Sequence, residues 1–412
     1  MKNVGFRISN MIEKEKQIDE LLSRSIFQVL PSKEALRGVL VSGKKLRIYV
    51  GADATGPQLH IGHATNFMIL EKLRQLGHQV IVLFGDFTAM LGDPTEKLAT
   101  RKRLSREEVN ANISTWKDQV SKLLDFSDVE NPAIIRQNSE WLSKMNLSDV
   151  IDLASHFTVQ QMLERDMFEK RMEEGKPIYL NEFLYPLLQG YDSVALDVDV
   201  EMGGSDQIFN MLAGRTLQRD FHQKEKFVVA TTLLENPVTG KKLMSKSEGG
   251  FVALNDTPND MFGKIMALPD EVIRQVFVDC SFLSLEEIES IPISQSPRDA
   301  KLRLGREIVK IYHGEDASRA AEEYFVSTFS KREIPNDIRE VKLIGEMSLL
   351  DFLVQEGFAT SRGDARRKIE QGGVEVDGVK VLDRDFTLTN TGKSSIVKCG
   401  KKDFARAVFS TL

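Results

Sequence analysis

The chain has 412 residues, of which 41% are hydrophobic and 28% charged, with a formal net charge of -6. That length exceeds one ordinary core, so two or three domains are expected, and the balance is that of a globular chain rather than a disordered or membrane-embedded one. No apolar run reaches the length of a membrane span, the opening Met1 to Glu20 lacks the apolar core of a signal peptide, and Cys280 and Cys399 form no C-x-x-C pair, so the expectation is a cytoplasmic protein without a disulfide framework or a cysteine-rich zinc site.

Leu46 to Val50 reads as a short buried strand, and after a Gly/Pro-rich turn a helical pattern runs from His60 to Leu76, closed by Gly77. Val80 to Phe84 reads as a second buried strand. Strand, helix and strand make a βαβ unit, with a right-handed crossover and its ligands beyond the carboxyl ends of the strands. Charged helical stretches at Ser105 to Phe126 and Asp149 to Gly175 read as an insertion, about residues 105–190, that interrupts the sheet and could carry a subunit interface. Ala195 to Val200 alternates as a strand and Phe227 to Leu234 gives another, closing a first domain at residue 235. Residues 236–257 are a loop and linker, and the pattern then turns helical from Pro258 to Phe329, an expected separate helical domain over 258–332. The polar stretch 333–346, with Pro335, is the expected second linker, and a small α+β unit fills 347–412. From Val341 onward 12 Lys/Arg accompany 10 Asp/Glu, against 43 and 51 before it, so any nucleic-acid contact should be confined to patches.

His60 and His63 are three apart and share a face at the first turn of the first helix. Unpaired N–H groups and the helix dipole favour phosphate there, and Gly62 lets a flat base approach the backbone. The same pair could instead cap a surface helix or form half of a metal site. His78, His156, His222 and His313 supply no matching pair, so no protein metal site is expected. Downstream, Leu243-Met244-Ser245-Lys246-Ser247 is followed by Gly249-Gly250, and a lysine on such a hinged loop can close over a triphosphate. Read alone, it is an ordinary solvated loop. Tyr185, Gln189 and Asp192 stand at i, i+4 and i+7 and line one face of an otherwise apolar helix, which turns polar groups into a pocket. Gly203-Gly204-Ser205-Asp206-Gln207 stands between a strand and a helix, where a carboxylate can accept both ribose hydroxyls.

The pairing of His60 to His63 with Met244 to Ser247 resembles the HIGH and KMSKS signatures of the class I aminoacyl-tRNA synthetases. One position departs: Leu243 stands where the signature has its first lysine, and Lys242 lies one place earlier. The run from Tyr185 to Asp192 is similar to the tyrosyl-tRNA synthetase pattern Y-x-x-x-Q-x-x-D, and Gly203 to Gln207 also matches. The resemblance implies activation of L-tyrosine by ATP with Mg²⁺, then transfer to tRNA(Tyr) by a homodimer, without a covalent enzyme intermediate. It implies that Tyr49 and Asp192 meet the substrate hydroxyl, while Tyr185, Gln189 and Asp93 meet its ammonium. By the same carry-over, His60, His63, Thr55, Lys97, Arg101 and Lys246 serve the phosphates, and Asp53, Gly62, Gly204, Asp206, Gln207 and Ser247 hold the nucleotide.

The fold implied is α/β: a Rossmann-like parallel-sheet catalytic domain with a helical insertion, an all-helical anticodon-binding domain and a small C-terminal α+β domain. The last resembles the S-four-like RNA-binding unit, with Arg362, Arg366, Arg367 and Lys368 on one short helix for RNA backbone. Two rivals are a nucleotidyltransferase that uses the same histidine geometry on a small metabolite and a catalytically silent RNA-binding relative. The terminal module opposes the first, and the presence of Asp93, Asp192, Asp206 and Lys246 opposes the second. A tryptophanyl enzyme is opposed by the phenol-recognising pair Tyr49 and Asp192.

Overall fold

The computed structural model describes residues 2–94, 104–244, 250–330, 338–390, 394–400 and 403–410. They form two compact units, Met1–Arg319 and Ala320–Leu412.

In the first unit α1 (Lys2–Ser23) leads into β1 (Ile26–Leu30), and α2 (Lys33–Val41), N-capped by the Ser32 side chain, returns the chain to β2 (Arg47–Asp53). α3 (Ile61–Gln75) and β3 (Gln79–Gly85) complete the expected βαβ unit, with β2 and β3 parallel from Arg47 opposite Gln79 to Asp53 opposite Gly85. The chain then makes α4 (Thr88–Leu91), α5 (Arg106–Ser114) and α6 (Trp116–Val120). The insertion is not wholly helical, because β4 (Ile134–Gln137) adds to the sheet beside β3. Its four residues are all half-buried, so it lacks the alternation by which a strand announces itself. α7 (Ser139–Leu142), α8 (Leu147–Ser155), α9 (Val159–Leu163) and α10 (Asp166–Glu173) lead to α11 (Leu180–Leu196).

Here the sequence expectation is corrected: Ala195 and Leu196 end α11, and the strand, β5 (Val200–Gly204), begins only after Asp197 turns through φ 47°. Leu196, Val198 and Val200 are all buried. The period-two pattern is therefore real, but it runs across a helix cap. After a single 3-10 turn at Ser205–Gln207, α12 (Ile208–His222) crosses α11 and feeds β6 (Phe227–Thr231).

The sheet order is β1-β6-β5-β2-β3-β4, parallel throughout except for β1 against β6. The chain moves outward from β2 to β3 and β4, then returns to the other side of β2 with β5. The carboxyl ends of β2 and β5 thus flank a topological switch point, the crevice where such sheets take ligands.

Beyond β6, α13 (Pro258–Met266), α14 (Ile273–Cys280), α15 (Leu285–Glu289) and α16 (Pro297–His313) are helical as expected, but they belong to the first compact unit. α14 buries Ile273, Val276, Phe277 and Cys280, and the Cys280 thiol lies 3.4 Å from the Ile61 carbonyl that opens α3. Arg24, at the end of α1, donates to the carbonyls of Phe277, Val278, Ser281 and Leu283. One buried guanidinium thereby joins two of the last carbonyls of α14, which also accept the Ser281 and Ser25 hydroxyls, to two in the turn beyond it. The unit boundary falls within α17 (Glu315–Phe325).

In the second unit β7 (Glu340–Ile344) pairs in parallel with a strand at the end of the chain, so this part of the expected linker is sheet. Pro335 lies outside the described residues. β8 (Met347–Ser348), α18 (Leu349–Gln355) and α19 (Arg362–Glu370) follow, with Ser361 capping α19 through the Asp364 N–H. β9 (Val374–Val376) and β10 (Val379–Lys380) make the expected hairpin, its turn at Asp377 and Gly378 having φ 48° and 81°. β11 (Thr387–Leu388) pairs with β8, and β12 (Ser395–Cys399) and β13 (Asp403–Ser410) complete a sheet of order β10-β9-β12-β13-β7. Phe352, Leu353, Ala365, Ile369, Val397 and Ala405 fill its core.

Removing the Arg24 guanidinium while keeping its apolar stem isolates the clamp. Arg24→Met should lower unfolding stability by about 2–4 kcal/mol in a denaturant titration, because several buried carbonyls lose a donor at once. A change below about 0.5 kcal/mol would show that these carbonyls find other partners.

Candidate active site

His60 caps α3 with extended backbone (φ -127°), and its Nδ1 accepts the Gly62 N–H at 3.1 Å. His63 Nδ1 accepts the His60 N–H at 3.2 Å, and the two rings lie with centroids 3.8 Å apart. Both Nδ1 atoms being acceptors, the proton of each neutral ring sits on Nε2. The sequence left a cap and a phosphate site as alternatives, and the structure makes the two histidines a reciprocal cap whose tautomers still offer Nε2–H donors. A Cβ on Gly62 would stand 3.0 Å from the His60 ring, so the glycine keeps the cap closed. Burial pulls His63 down to about 4.

The turn before this helix is fastened by residues the sequence reading missed. Asn112 Nδ2 donates to the Ala54 carbonyl at 2.8 Å, Trp116 Nε1 to Gly56 at 2.9 Å and Gln119 Nε2 to Pro57 at 2.9 Å. They stand at i, i+4 and i+7, the same one-face signal that singled out Tyr185, Gln189 and Asp192, and so could have been found. Thr55 is exposed on this turn.

Along α11, Asp192 is buried, with Oδ1 accepting Trp141 Nε1 at 2.8 Å and Oδ2 accepting Asn138 Nδ2 at 3.2 Å. Burial pushes its carboxyl well above the usual range, with the Glu201 and Asp53 charges adding to the rise and the Trp141 and Asn138 bonds opposing it. Tyr185 donates to Asp53 Oδ2 at 3.0 Å, while Thr88 Oγ1 donates to Asp53 Oδ1 at 2.7 Å. Burial is the largest cause raising the Tyr185 phenol, followed by the Asp53 and Asp93 charges and, more weakly, that of Asp192. Three carboxylates therefore converge on one phenol. That negative field suits a cation.

Asp93 accepts Gln207 Nε2 at 2.8 Å and faces Arg165 at 3.5 Å. Gln189 donates to Glu201 Oε1 at 3.2 Å, and the buried Tyr49 hydroxyl lies 3.2 Å from Ser193 Oγ. The residues expected around the substrate thus gather in the crevice and are hydrogen-bonded within the protein, Tyr49 to Ser193 and Tyr185 to Asp53. Asp53, expected with the nucleotide, is bonded toward α11. Trp141, Asn138, Arg165, Ser193, Glu201 and Lys226 were not read from the sequence.

On the nucleotide side, Gly204 ends β5, where a Cβ would meet Asp206 Oδ1 at 2.7 Å. Asp206 accepts Lys242 Nζ at 2.8 Å, so the lysine beside the departing Leu243 reaches the carboxylate expected to hold ribose. Lys246 and Ser247, like Lys97 and Arg101, lie outside the described residues. In the second unit, Arg362 pairs with Asp351, Arg366 with Glu370 and Arg367 with Asp364, and Lys368 reaches Asp364 and the Phe358 carbonyl. Exposed pairs of this kind contribute little and can exchange one anion for another.

The family model described as tRNA synthetases class I (W and Y) matches residues 42–330, and that of a tyrosine--tRNA ligase SYY-like C-terminal domain matches 331–407. The tyrosine--tRNA ligase of Thermotoga maritima is 41% identical over 397 residues, spanning 95% of this chain and 97% of its own. That of Geobacter sulfurreducens is 43% identical over 401 residues, spanning 95% and 98%. The chain belongs to the tyrosine--tRNA ligase family of class I tRNA synthetases. Among solved structures, a C-terminally truncated mitochondrial tyrosyl-tRNA synthetase of Aspergillus nidulans matches with a TM-score of 0.64 at 24% identity, over 78% of this chain and 98% of that one. The Archaeoglobus fulgidus tyrosyl-tRNA synthetase complexed with L-tyrosine matches at 0.54 and 21%, over 76% and 99%. At those identities the likeness is one of fold, and it confirms the class I α/β architecture.

The depressed His63 value has a pH consequence. A histidine held neutral contributes stability above its unfolded pKa of 6.5 and loses it as pH falls toward about 4. An NMR titration of the His63 ring should give a midpoint near 4, and unfolding stability should drop across that window; a midpoint near 6.5 would mean the ring is solvated.

Proposed function

We propose that this chain activates L-tyrosine with ATP to give tyrosyl-adenylate and pyrophosphate, then transfers the tyrosyl group to the 3′ end of tRNA(Tyr) for protein biosynthesis. The observation that carries this reading is the polar face of α11, with Tyr185 and Asp192 buried and Gln189 half-buried, set at the switch point beside the histidine-capped start of α3.

In the first step a tyrosine carboxylate oxygen bonds to the α-phosphorus and the bond to pyrophosphate breaks. The three carboxylates around Tyr185 favour the ammonium of the incoming amino acid, with Asp93, Tyr185 and Gln189 as its partners. Asp192 and Tyr49 take the phenol hydroxyl, and a site built to bond that group penalises phenylalanine, which leaves it unpaired. His60 and His63 direct Nε2–H donors at charge developing on the α-phosphate, and Thr55 joins them from the turn. Asp206 exchanges Lys242 for the ribose hydroxyls, with Gln207, Gly204, Gly62 and Asp53 bounding the nucleotide. Lys246, Ser247, Lys97 and Arg101 are assigned to the departing pyrophosphate.

The Mg²⁺ of the proposed reaction enters with ATP, binding chiefly through phosphate oxygens and its own waters and neutralising their charge. Positioning and preorganised donors supply most of the rate.

The exposed Arg362, Arg366 and Arg367 and the half-buried Lys368 on α19 are assigned to tRNA backbone. Large apolar side chains exposed on the insertion, Leu147, Ile151, Val159 and Leu180, support a homodimer built through it. Among the described residues no helix is long and apolar enough to cross a membrane, and the reading assigns the reaction to the cytoplasm.

Pyrophosphate exchange into ATP, run with each amino acid in turn, tests the activity: exchange should depend on tyrosine, and its absence with every amino acid would sink the proposal. Asp192→Ala should abolish that exchange, whereas near-normal exchange would refute the hydroxyl assignment. Ending the chain at residue 330 should spare exchange but weaken tRNA charging. Unchanged charging would remove the RNA role from the second unit.

A further inference from the structure

Behind the proposed amino-acid pocket Lys226, Glu201 and Ser193 form a buried polar cluster to which the reaction above gives no part. Lys226, just before β6, is its one cation among the described residues. Its Nζ is ion-paired with Glu201 Oε2 and donates to Ser193 Oγ at 2.9 Å and to the Met211 carbonyl at 3.0 Å. Ser193 Oγ lies 3.1 Å from Glu201 Oε2 and 3.2 Å from the Tyr49 hydroxyl. Glu201 Oε1 accepts Gln189 Nε2 at 3.2 Å. Lys226, Ser193, Glu201 and Tyr49 are each no more than 1% exposed. The cluster fits only because residue 214 is glycine: a Cβ there would lie 2.5 Å from Lys226 Nζ, 2.6 Å from Ser193 Oγ and 3.0 Å from Glu201 Oε2.

The donor and acceptor inventory fixes the contacts made to the ion pair. An ammonium only donates and a carboxylate only accepts. Ser193 must accept from Lys226, while its contact with Tyr49 can run in either direction. Gln189 must turn its NH₂ to Glu201, which directs its carbonyl oxygen away from the carboxylate. Burial pulls the Lys226 ammonium down, and the adjacent Glu201 charge holds it up.

We infer that the buried Lys226–Glu201 pair fixes the amide orientation of Gln189, holding its NH₂ toward the cluster and its carbonyl oxygen toward the substrate. This rests on the assignment of Gln189 to the tyrosine pocket under the proposed function. A fixed carbonyl on Gln189 suits an ammonium. Glu201 and Lys226 are positioning residues: they touch no substrate and act through Gln189.

Glu201→Gln removes the fixed orientation, since an amide can donate or accept and lets Gln189 flip. Kinetics of pyrophosphate exchange in the full chain should show the KM for tyrosine raised about tenfold or more, with the KM for ATP within about twofold of wild type. The double variant Glu201→Gln/Lys226→Met also removes the unpaired lysine, so its thermal midpoint should recover toward wild type while the tyrosine KM stays raised. A pair that is only structural predicts the reverse, with KM recovering alongside the midpoint, and that result overturns the inference. So does an unchanged tyrosine KM in Glu201→Gln. If the single variant does not fold, the double decides: a raised tyrosine KM supports control of the Gln189 orientation and a wild-type KM refutes it. Wild-type protein without tyrosine-dependent exchange is a separate result, which removes the proposed function itself.

Discussion

Charge of one sign, crowded and partly buried, is the constraint around which this molecule is arranged. Asp53, Asp93, Asp192 and Glu201 gather near the carboxyl ends of the parallel strands, and two of them, Asp192 and Glu201, are almost wholly buried. Carboxylates so placed repel one another and lose their hydration. The structure answers mainly with neutral donors: Trp141 and Asn138 for Asp192, Thr88 and Tyr185 for Asp53, Gln207 beside Arg165 for Asp93. Among the described residues, Glu201 is the one of the four with a lysine in direct contact. Under the proposed function, an ammonium bound beside these carboxylates relieves part of their mutual repulsion.

The backbone has to come close for such a network to close. An added Cβ at Gly190 would stand 3.0 Å from the Gly214 nitrogen and 3.1 Å from the Ala213 carbonyl carbon, so α11 and α12 cross almost backbone to backbone. This crossing brings Ser193 on α11 to Lys226, just before β6, and Glu201 on β5. Asn138 performs a similar joining task from the edge of the sheet. Its amide oxygen accepts the Phe87 N–H at 3.0 Å, while its NH₂ donates both to Thr88 Oγ1 and to Asp192. The edge strand β4, whose sequence carries no strand signature, is what delivers it.

Legibility in the sequence followed the range of the interactions. The βαβ unit, the capped start of α3, the Asp377-Gly378 hairpin turn and the α18/α19 pair rest on local periodicity and turn chemistry, and they appear within a few residues of expectation. The polar face of α11 was legible because three polar residues at helical spacing stand out in an apolar run. Its bonding partners were not, because Trp141, Asn138, Glu201 and Lys226 come from separate strands and helices and look ordinary where they stand. The false strand at Ala195 shows the opposite failure, a true alternation of buried residues spanning a helix cap. The helices after β6 were expected as a separate domain because they lack strands. Of these, α14 packs its apolar face on α3, and that contact has no local signature.

The clamp at Arg24 also bears on how the chain is made. Its acceptors run from Phe277 to Leu283, and the strand beside it, β1, pairs with β6. A growing chain therefore carries β1 without its sheet partner, and Arg24 without its acceptors, until well over half of the polypeptide has emerged. Closure of the first unit is a contact of very long sequence separation, which makes it slow and leaves an apolar edge exposed in the meantime. The residues that finish the sheet at one border are among the first synthesised, and they must wait for the last turn of α14 before they are fixed.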